Sequence, residues 1–304
     1  MARSPKYSEP EILARVADLL LRAQHVVEGT ISGLHRSPFH GFNVEFAEYR
    51  EYSPGDDLRR LDWRALARSD RYYIRQYEEE SNLRATIVMD CSASMRYGSG
   101  AMTKFDYGAT VAAALATLLV GQGDPVGLAL FDREPHPLLP PAATQAHLVQ
   151  LVGRLQDAKP DRETELGPML ASLGDQVKKR GLVIVISDLL TDLEAFYDGL
   201  ARLQYRGHDV LIVQILDKDE LELPFNDLVL FRDIEGSEEL FAEPWGFRKA
   251  YCAAMEKFVA EVRRACGDRS IDHLLMRTDQ NLADALSFYL HARDNNEHVR
   301  HRKF

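Results

Sequence analysis

Two hydrophobic periods alternate along most of this chain. Ala85-Thr86-Ile87-Val88-Met89 and Leu182-Val183-Ile184-Val185-Ile186 are continuous, largely β-branched runs. Runs of this kind, without polar alternation, read as strands buried on both faces. With similar runs elsewhere they predict strands at 83–90, 126–131, 182–187, 209–216 and 271–277. Between them apolar positions recur at helical spacing, predicting helices at 103–121, 144–157, 168–180, 192–206, 246–266 and 280–292. Such alternation implies an α/β fold, a doubly wound and mainly parallel sheet covered on both faces. Leu138 and its neighbours add an antiparallel hairpin strand after Phe131. The rhythm breaks at 217–243, where Val229 to Gly236 predicts an inserted β-hairpin arm.

The first 82 residues have a different texture. Ile12, Val16, Leu19, Leu20, Ala23, Val26 and Val27 share a helical face, predicting a helix at 10–28 that stops at Gly29. Residues 30–83 contain Gly33, Pro38, Gly41, the Pro54-Gly55 turn and the β-like run Tyr72 to Tyr77, which together predict a small β-rich region. The expected organisation is therefore 1–82 for the helix and β-rich region, and 83–293 for the α/β domain. The polar, basic segment 294–304 is a tail, where disorder is the default.

The chemistry gathers at strand ends. Asp90-Cys91-Ser92-Ala93-Ser94, a D-x-S-x-S pattern, follows the first core run directly. One carboxylate and two hydroxyls in a tight loop form an all-oxygen set suited to a hard divalent cation, which usually keeps waters or a further oxygen ligand. The run at 182–187 ends in Ser187-Asp188, and between the two strands Thr164 lies in a loop ahead of a helix. In open parallel sheets, ligands bind outside the carboxyl ends of the strands where strand order reverses. Asp90, Ser92, Ser94, Thr164 and Asp188 are the candidate metal residues. Each has a plainer reading: Asp188 as a helix cap, Thr164 as a helix N-terminus signal, and the serines as ordinary loop residues.

This set resembles the metal-ion-dependent adhesion site of von Willebrand factor A-like domains, matching it in residue type at all five positions. Ser37-Pro38-Phe39-His40-Gly41-Phe42-Asn43-Val44-Glu45-Phe46, Arg50-Glu51-Tyr52-Ser53-Pro54-Gly55-Asp56-Asp57-Leu58-Arg59-Arg60-Leu61-Asp62-Trp63 and Ala65-Leu66-Ala67-Arg68 resemble the signature of the domain of unknown function 58 family. The resemblance covers most of 28–293. It implies a von Willebrand factor A-like fold and a non-catalytic protein-interaction module holding one Mg²⁺ or Mn²⁺. Ser92 and Ser94 would ligate directly, Asp90 and Asp188 directly or through water, and Thr164 on ligand binding. An open position would accept a partner's Glu or Asp. The partner it implies is a MoxR-type AAA+ ATPase or its client, in chaperone-like maturation or remodelling of protein complexes.

A formal charge of −10 over 304 residues argues against a primary nucleic-acid binder. Arg60, Arg64 and Arg68 share a helical face, but residues 50–75 carry seven arginines against five acids. Ion pairing with Asp56, Asp57 and Asp62 is the plain reading and a docking surface the other. Trp63 is a core residue or a partner anchor. Cys91, Cys252 and Cys266 lack metal-ligand spacing. Cys252 and Cys266 lie about 21 Å apart along one helix, so reduced thiols are expected. Cys91 as a nucleophile lacks a histidine nearby in sequence. His298 and His301 have metal-pair spacing but sit in the tail. No run is long enough to span a membrane and the first residues lack a signal-peptide core, so a cytoplasmic location is expected. The competing enzyme reading is a Mg²⁺-dependent phosphohydrolase of haloacid-dehalogenase type. It needs a second Asp two residues after Asp90, where Ser92 stands. No phosphate-binding G-x-x-x-x-G-K-[ST] loop occurs.

Overall fold

A computed structural model of the protein describes residues 10–31, 43–51, 73–80, 83–131, 137–161, 165–232 and 239–287. They fall into two compact units, one containing residues 1–38 and 84–304 and the other residues 39–83. In the smaller unit β1 (Asn43–Glu51) pairs antiparallel with β2 (Tyr73–Glu80), with a bulge between Phe46 and Glu48.

The larger unit is built on a six-stranded sheet of β3 (Ala85–Asp90), β4 (Val126–Phe131), β5 (Leu139–Ala142), β6 (Leu182–Ser187), β7 (Asp209–Leu216) and β10 (Asp272–Arg277), ordered β10-β7-β6-β3-β4-β5. All pairings are parallel except β4 with β5. Pro140 and Pro141 lie in β5, where an edge strand tolerates residues lacking an amide donor. β3 and β6 are buried along their whole lengths, as their apolar runs require. The chain winds outward from β3 through β4 to β5, then returns to β6 on the other side of β3. Strand order therefore reverses between β3 and β6.

Side chains alternate across the sheet. Val88, Val183, Val185, Val210 and Ile212 pack with α4 (Leu166–Gln176), α5 (Leu193–Tyr205) and α7 (Arg248–Asp268) in one core, through Leu170, Phe196, Leu200 and Val262. On the opposite face α2 (Lys104–Gly121) lies directly on the strands. A Cβ on Gly108 would meet Met89 Cε at 2.8 Å and Ile215 Cδ1 at 3.0 Å. That closeness fixes the height of the helix, and of Lys104 at its start, above β3. Outside α2 lie α1 (Pro10–Ile31) and α3 (Gln145–Asp157). Thr103 and Asp106 form a reciprocal capping box that starts α2, and Thr144 and Asp192 cap α3 and α5.

Several boundaries differ from the sequence reading. α1 continues through Gly29 to Ile31, because Thr30, fully buried, bonds back to the Val26 carbonyl at 2.7 Å. α4 begins two residues early and ends at Gln176. Pro168 falls in its first turn, where a missing amide hydrogen costs nothing. α7 is displaced to 248–268 behind a 3-10 turn at Pro244–Gly246. The expected insertion is a hairpin of β8 (Val229–Arg232) and β9 (Glu239–Ala242), preceded by an unforeseen short helix, α6 (Lys218–Glu222). The last expected helix is seen at 282–287. Trp63, Arg60, Arg64, Arg68, His298 and His301 lie outside the described residues.

Candidate metal site at the strand switch point

Parallel register sets Met89 beside Ile186, so Asp90 and Ser187 leave adjacent strands side by side. Ser187 Oγ donates to Asp90 Oδ2 at 2.5 Å, and the Ser92 amide donates to Asp90 Oδ1 at 2.8 Å. The chain then turns through a 3-10 turn, Ala93–Arg96, that brings Ser92 Oγ and Ser94 Oγ to 2.9 Å of each other. Asp90, Ser92 and Asp188 are nearly sealed from solvent, whereas Ser94 is half-buried. Asp90, Ser92, Ser94 and Asp188 thus gather at the point where strand order reverses. Thr164 lies outside the described residues.

Electrostatics set this cluster apart from ordinary loop polarity. Burial, and then the Asp188 charge, push the Asp90 carboxyl up to about 7, against the hydrogen bonds from Ser187 and Ser92 that favour its ionised form. Asp188 Oδ1 accepts from the Leu190 amide at 3.0 Å, so the plainer capping role is also partly real. The intervening Leu189 is buried with φ 61°, a left-handed conformation that a non-glycine residue adopts at a cost of roughly 1–3 kcal/mol. It is held by a bond from its amide to Ser187 Oγ at 3.0 Å.

The sequence reading did not include Lys104. Its ammonium is completely buried and donates to Asp188 Oδ2 at 2.7 Å and Glu220 Oε1 at 2.5 Å. Burial opposes its charge, but Asp188 and Glu220 outweigh that and raise its pKa. Burial likewise raises Glu220. A lysine in the first turn of an apolar helix opposes the helix dipole, and that misplacement is the signal by which it could have been found. Beneath the site, Gln214 Nε2 donates to the Asp188 carbonyl at 3.2 Å and its Oε1 meets His273 Nε2 at 3.0 Å. Beside it, Asp217 receives Ser99 Oγ at 2.5 Å and Thr278 Oγ1 at 2.6 Å, tying the loop after the 3-10 turn to the ends of β7 and β10.

The donors fit a hard dication. All are oxygens, and two buried carboxylates stand close enough for one to raise the other. Asp90, Asp188 and Glu220 against Lys104 leave two negative charges when ionised, which one divalent ion would balance. A carboxylate has about four lone-pair positions, so the hydrogen bonds on Asp90 do not use up its capacity. Among the described residues no group of three or more His, Cys, Asp or Glu is arranged as a metal cage. The expected site relies on hydroxyls instead. Cys91 is buried, and its thiol points back to the Met89 carbonyl at 3.7 Å; all three cysteines are free thiols. The phosphohydrolase reading finds no support, because Ser92 holds the position its second carboxylate requires.

A doubly wound sheet with D-x-S-x-S leaving its first strand, and a second acid leaving the strand across the switch point, defines a von Willebrand factor A-like domain. The chain belongs to the family described as Protein of unknown function DUF58, which matches residues 48–260. It is 28% identical over 286 residues to the uncharacterized protein Rv1480 of Mycobacterium tuberculosis (strain ATCC 25618 / H37Rv), covering 92% of this chain and 89% of that one. Solved structures similar to it include BatB from Bacteroides thetaiotaomicron, at 13% identity and TM-score 0.49 over 70% of this chain and 99% of that one. The VWA domain of SpRpn10 is similar at 15% identity and TM-score 0.41, over 67% and 94%. No helix among the described residues is long and apolar enough to cross a membrane.

Proposed function

We propose that this protein is a non-catalytic interaction module that grips a partner protein through one Mg²⁺ or Mn²⁺. Asp90, Ser92, Ser94 and Asp188 would hold the ion, with Thr164 joining when the partner binds. The ion would supply an electrophilic position for a Glu or Asp carboxylate of the partner. In keeping with the family resemblance, the partner is a MoxR-type AAA+ ATPase or its client, and the setting is cytoplasmic maturation of protein complexes. The observation that carries this reading is the convergence of two hydroxyls and two mutually repelling carboxylates at the strand switch point. No activated nucleophile accompanies them among the described residues, which favours binding over turnover.

Calorimetric titration with MgCl₂ and MnCl₂ should show one site in the full chain and none in Asp90→Ala. Affinity for the purified MoxR-type ATPase of the same organism should fall at least tenfold, about 1.4 kcal/mol, in chelator and in Thr164→Ala. Unchanged metal binding in Asp90→Ala would remove these ligands from the reading. ATPase affinity indifferent to chelator would remove the metal from the contact.

A further inference from the structure

Beside the candidate site runs a groove of about 490 Å³, lined by Ser94 and Leu190 at one end and by Phe225, Val229, Leu230 and Phe231 beyond. Its volume lies in the ~300–1,000 Å³ range of ligand pockets. Ser94 belongs to the D-x-S-x-S loop and Leu190 follows Asp188 by two residues, so the groove opens directly off the metal loops. Its position is fixed by the fold. Arg248 on α7 donates to the Leu223 and Phe225 carbonyls at 2.8 and 2.6 Å, pinning the loop that carries Phe225. Phe225 meets Phe231 of the hairpin edge-on, ring centroids 6.3 Å apart.

We propose that this groove seats the large apolar side chain of a partner segment whose neighbouring Glu or Asp ligates the metal. This rests on the metal reading above and assigns its specificity to the hairpin. Continuity is the first argument, since a ligand on the ion at Ser94 must extend along the groove or into solvent. Charge is the second. Asp219 and Glu220 also line the groove, and Glu220 lies beside the candidate site, sharing Lys104 with Asp188. A carboxylate is repelled from the site until a dication is present, whereas an apolar side chain further along is not. Extent is the third. Cross-strand partners share a face and neighbours along a strand do not, so Phe231, which meets Phe225, continues to Leu240 on one face of the hairpin, and Leu230 continues to Phe241 on the other. Phe241 and Leu240 are 67% and 64% exposed, with Leu228 and Trp245 similarly open. Apolar surface running past the groove suits a polypeptide better than a small organic acid.

The test uses a library of synthetic nonapeptides with a central Glu, Asp or Gln and randomised flanks, screened on the full chain in MgCl₂ and in EDTA. Enrichment of Glu or Asp followed by Leu, Phe or Met is expected in MgCl₂. The best peptide should lose at least tenfold in affinity for Leu230→Asp and for Phe231→Asp, which retain the wild-type circular dichroism and MgCl₂ isotherm. An empty screen, equal binding of Ser-flanked peptides, or equally tight competition by free glutamate or succinate would overturn the proposal. Apolar selection that persists in EDTA, with Gln as good as Glu, would support the groove and overturn the metal reading.

Discussion

Replacing Lys104 by Met removes the buried ammonium that pairs with Asp188 and Glu220 while keeping the side chain's length. Both bonds are short, 2.7 and 2.5 Å, and the lysine is wholly buried. Losing one partner of a buried ion pair costs about 3–5 kcal/mol, because the remaining charge stays desolvated. Protonation limits that loss. Burial already raises Glu220, and without Lys104 it rises further and takes up a proton as pH falls. The penalty is therefore largest at alkaline pH and shrinks as pH falls through the raised Glu220 value. At pH 8 in EDTA we expect a loss of about 3 kcal/mol, or roughly 6–12 °C in Tm for a unit of this size. At pH 6 the loss should be clearly smaller. Added Mg²⁺ should recover more stability in Lys104→Met than in the wild type, because an ion that binds only the folded state stabilises it in proportion to ln(1 + [L]/Kd). Calorimetric melts at the two pH values, with and without Mg²⁺, check all of this. A loss under about 1 kcal/mol, or equal losses at pH 6 and 8, would refute the view that Lys104 is the cluster's internal counter-ion.

Two further outcomes test the frame around the site. Burial, and then Arg263, lower His273 from 6.5 to about 4, so its neutral form stabilises the fold above pH 6.5 and that contribution, up to about 3 kcal/mol, is lost as pH falls towards 4. Urea melts at pH 7 and 4.5 should show a smaller pH-dependent loss in His273→Gln than in the wild type, and an identical loss would contradict the assignment. In Gly199→Ala the new Cβ would lie 2.6 Å from the Gly167 carbonyl oxygen where α5 crosses α4, so we expect destabilisation of about 1–3 kcal/mol. Gly174→Ala, whose Cβ would meet Leu203 at an ordinary 3.5 Å, should be neutral or slightly stabilising, and equal melting of the two variants would show that the helices part freely.

The central sheet was legible because its strands are buried on both faces, and a continuous β-branched run suits little else than a core strand. Helix starts were legible where Thr103, Thr144 and Asp192 advertise caps. Boundaries failed where a tertiary contact overrode the local signal: Thr30 carries α1 past Gly29, and Pro168 lies inside a first turn rather than before it. Asp90, Ser92, Ser94 and Asp188 were legible because sequence order and sheet topology place them together. Lys104 and Glu220 were not, since they lie 116 residues apart and Glu220 sits in a short helix that the sequence did not predict. Gly108 seats α2 closely on Met89 and Ile215, and from the start of that helix Lys104 reaches Asp188. The groove was half legible: the break in rhythm at 217–243 marked an insertion, but nothing in its sequence tied it to Ser94.

Stability alone does not account for what surrounds Asp90. A buried ion-pair cluster is weak evidence for stability, since well-packed apolar residues of like volume are often as good or better. Here the cluster holds more acids than bases, raises one carboxyl to about 7 and sits beside a left-handed leucine. Each of these opposes folding, and each lies within a few residues of the others in space. Groups so perturbed persist together where a ligand or a reaction uses them. A reaction would need an accessible nucleophile set on a base; the hydroxyls of Ser92 and Ser94 bond to each other, and the hydroxyl that Asp90 does hold, Ser187 Oγ, is sealed from solvent. A cation does not have that requirement. On the proposed reading a cation would turn the same excess of negative charge from a liability into a binding contribution, and would convert the acidic mouth of the hairpin groove from a barrier to carboxylates into an attraction for them. Binding of metal and binding of partner would then be one coupled equilibrium, with the direction of coupling set by the sign of the charge at Asp188, Asp219 and Glu220.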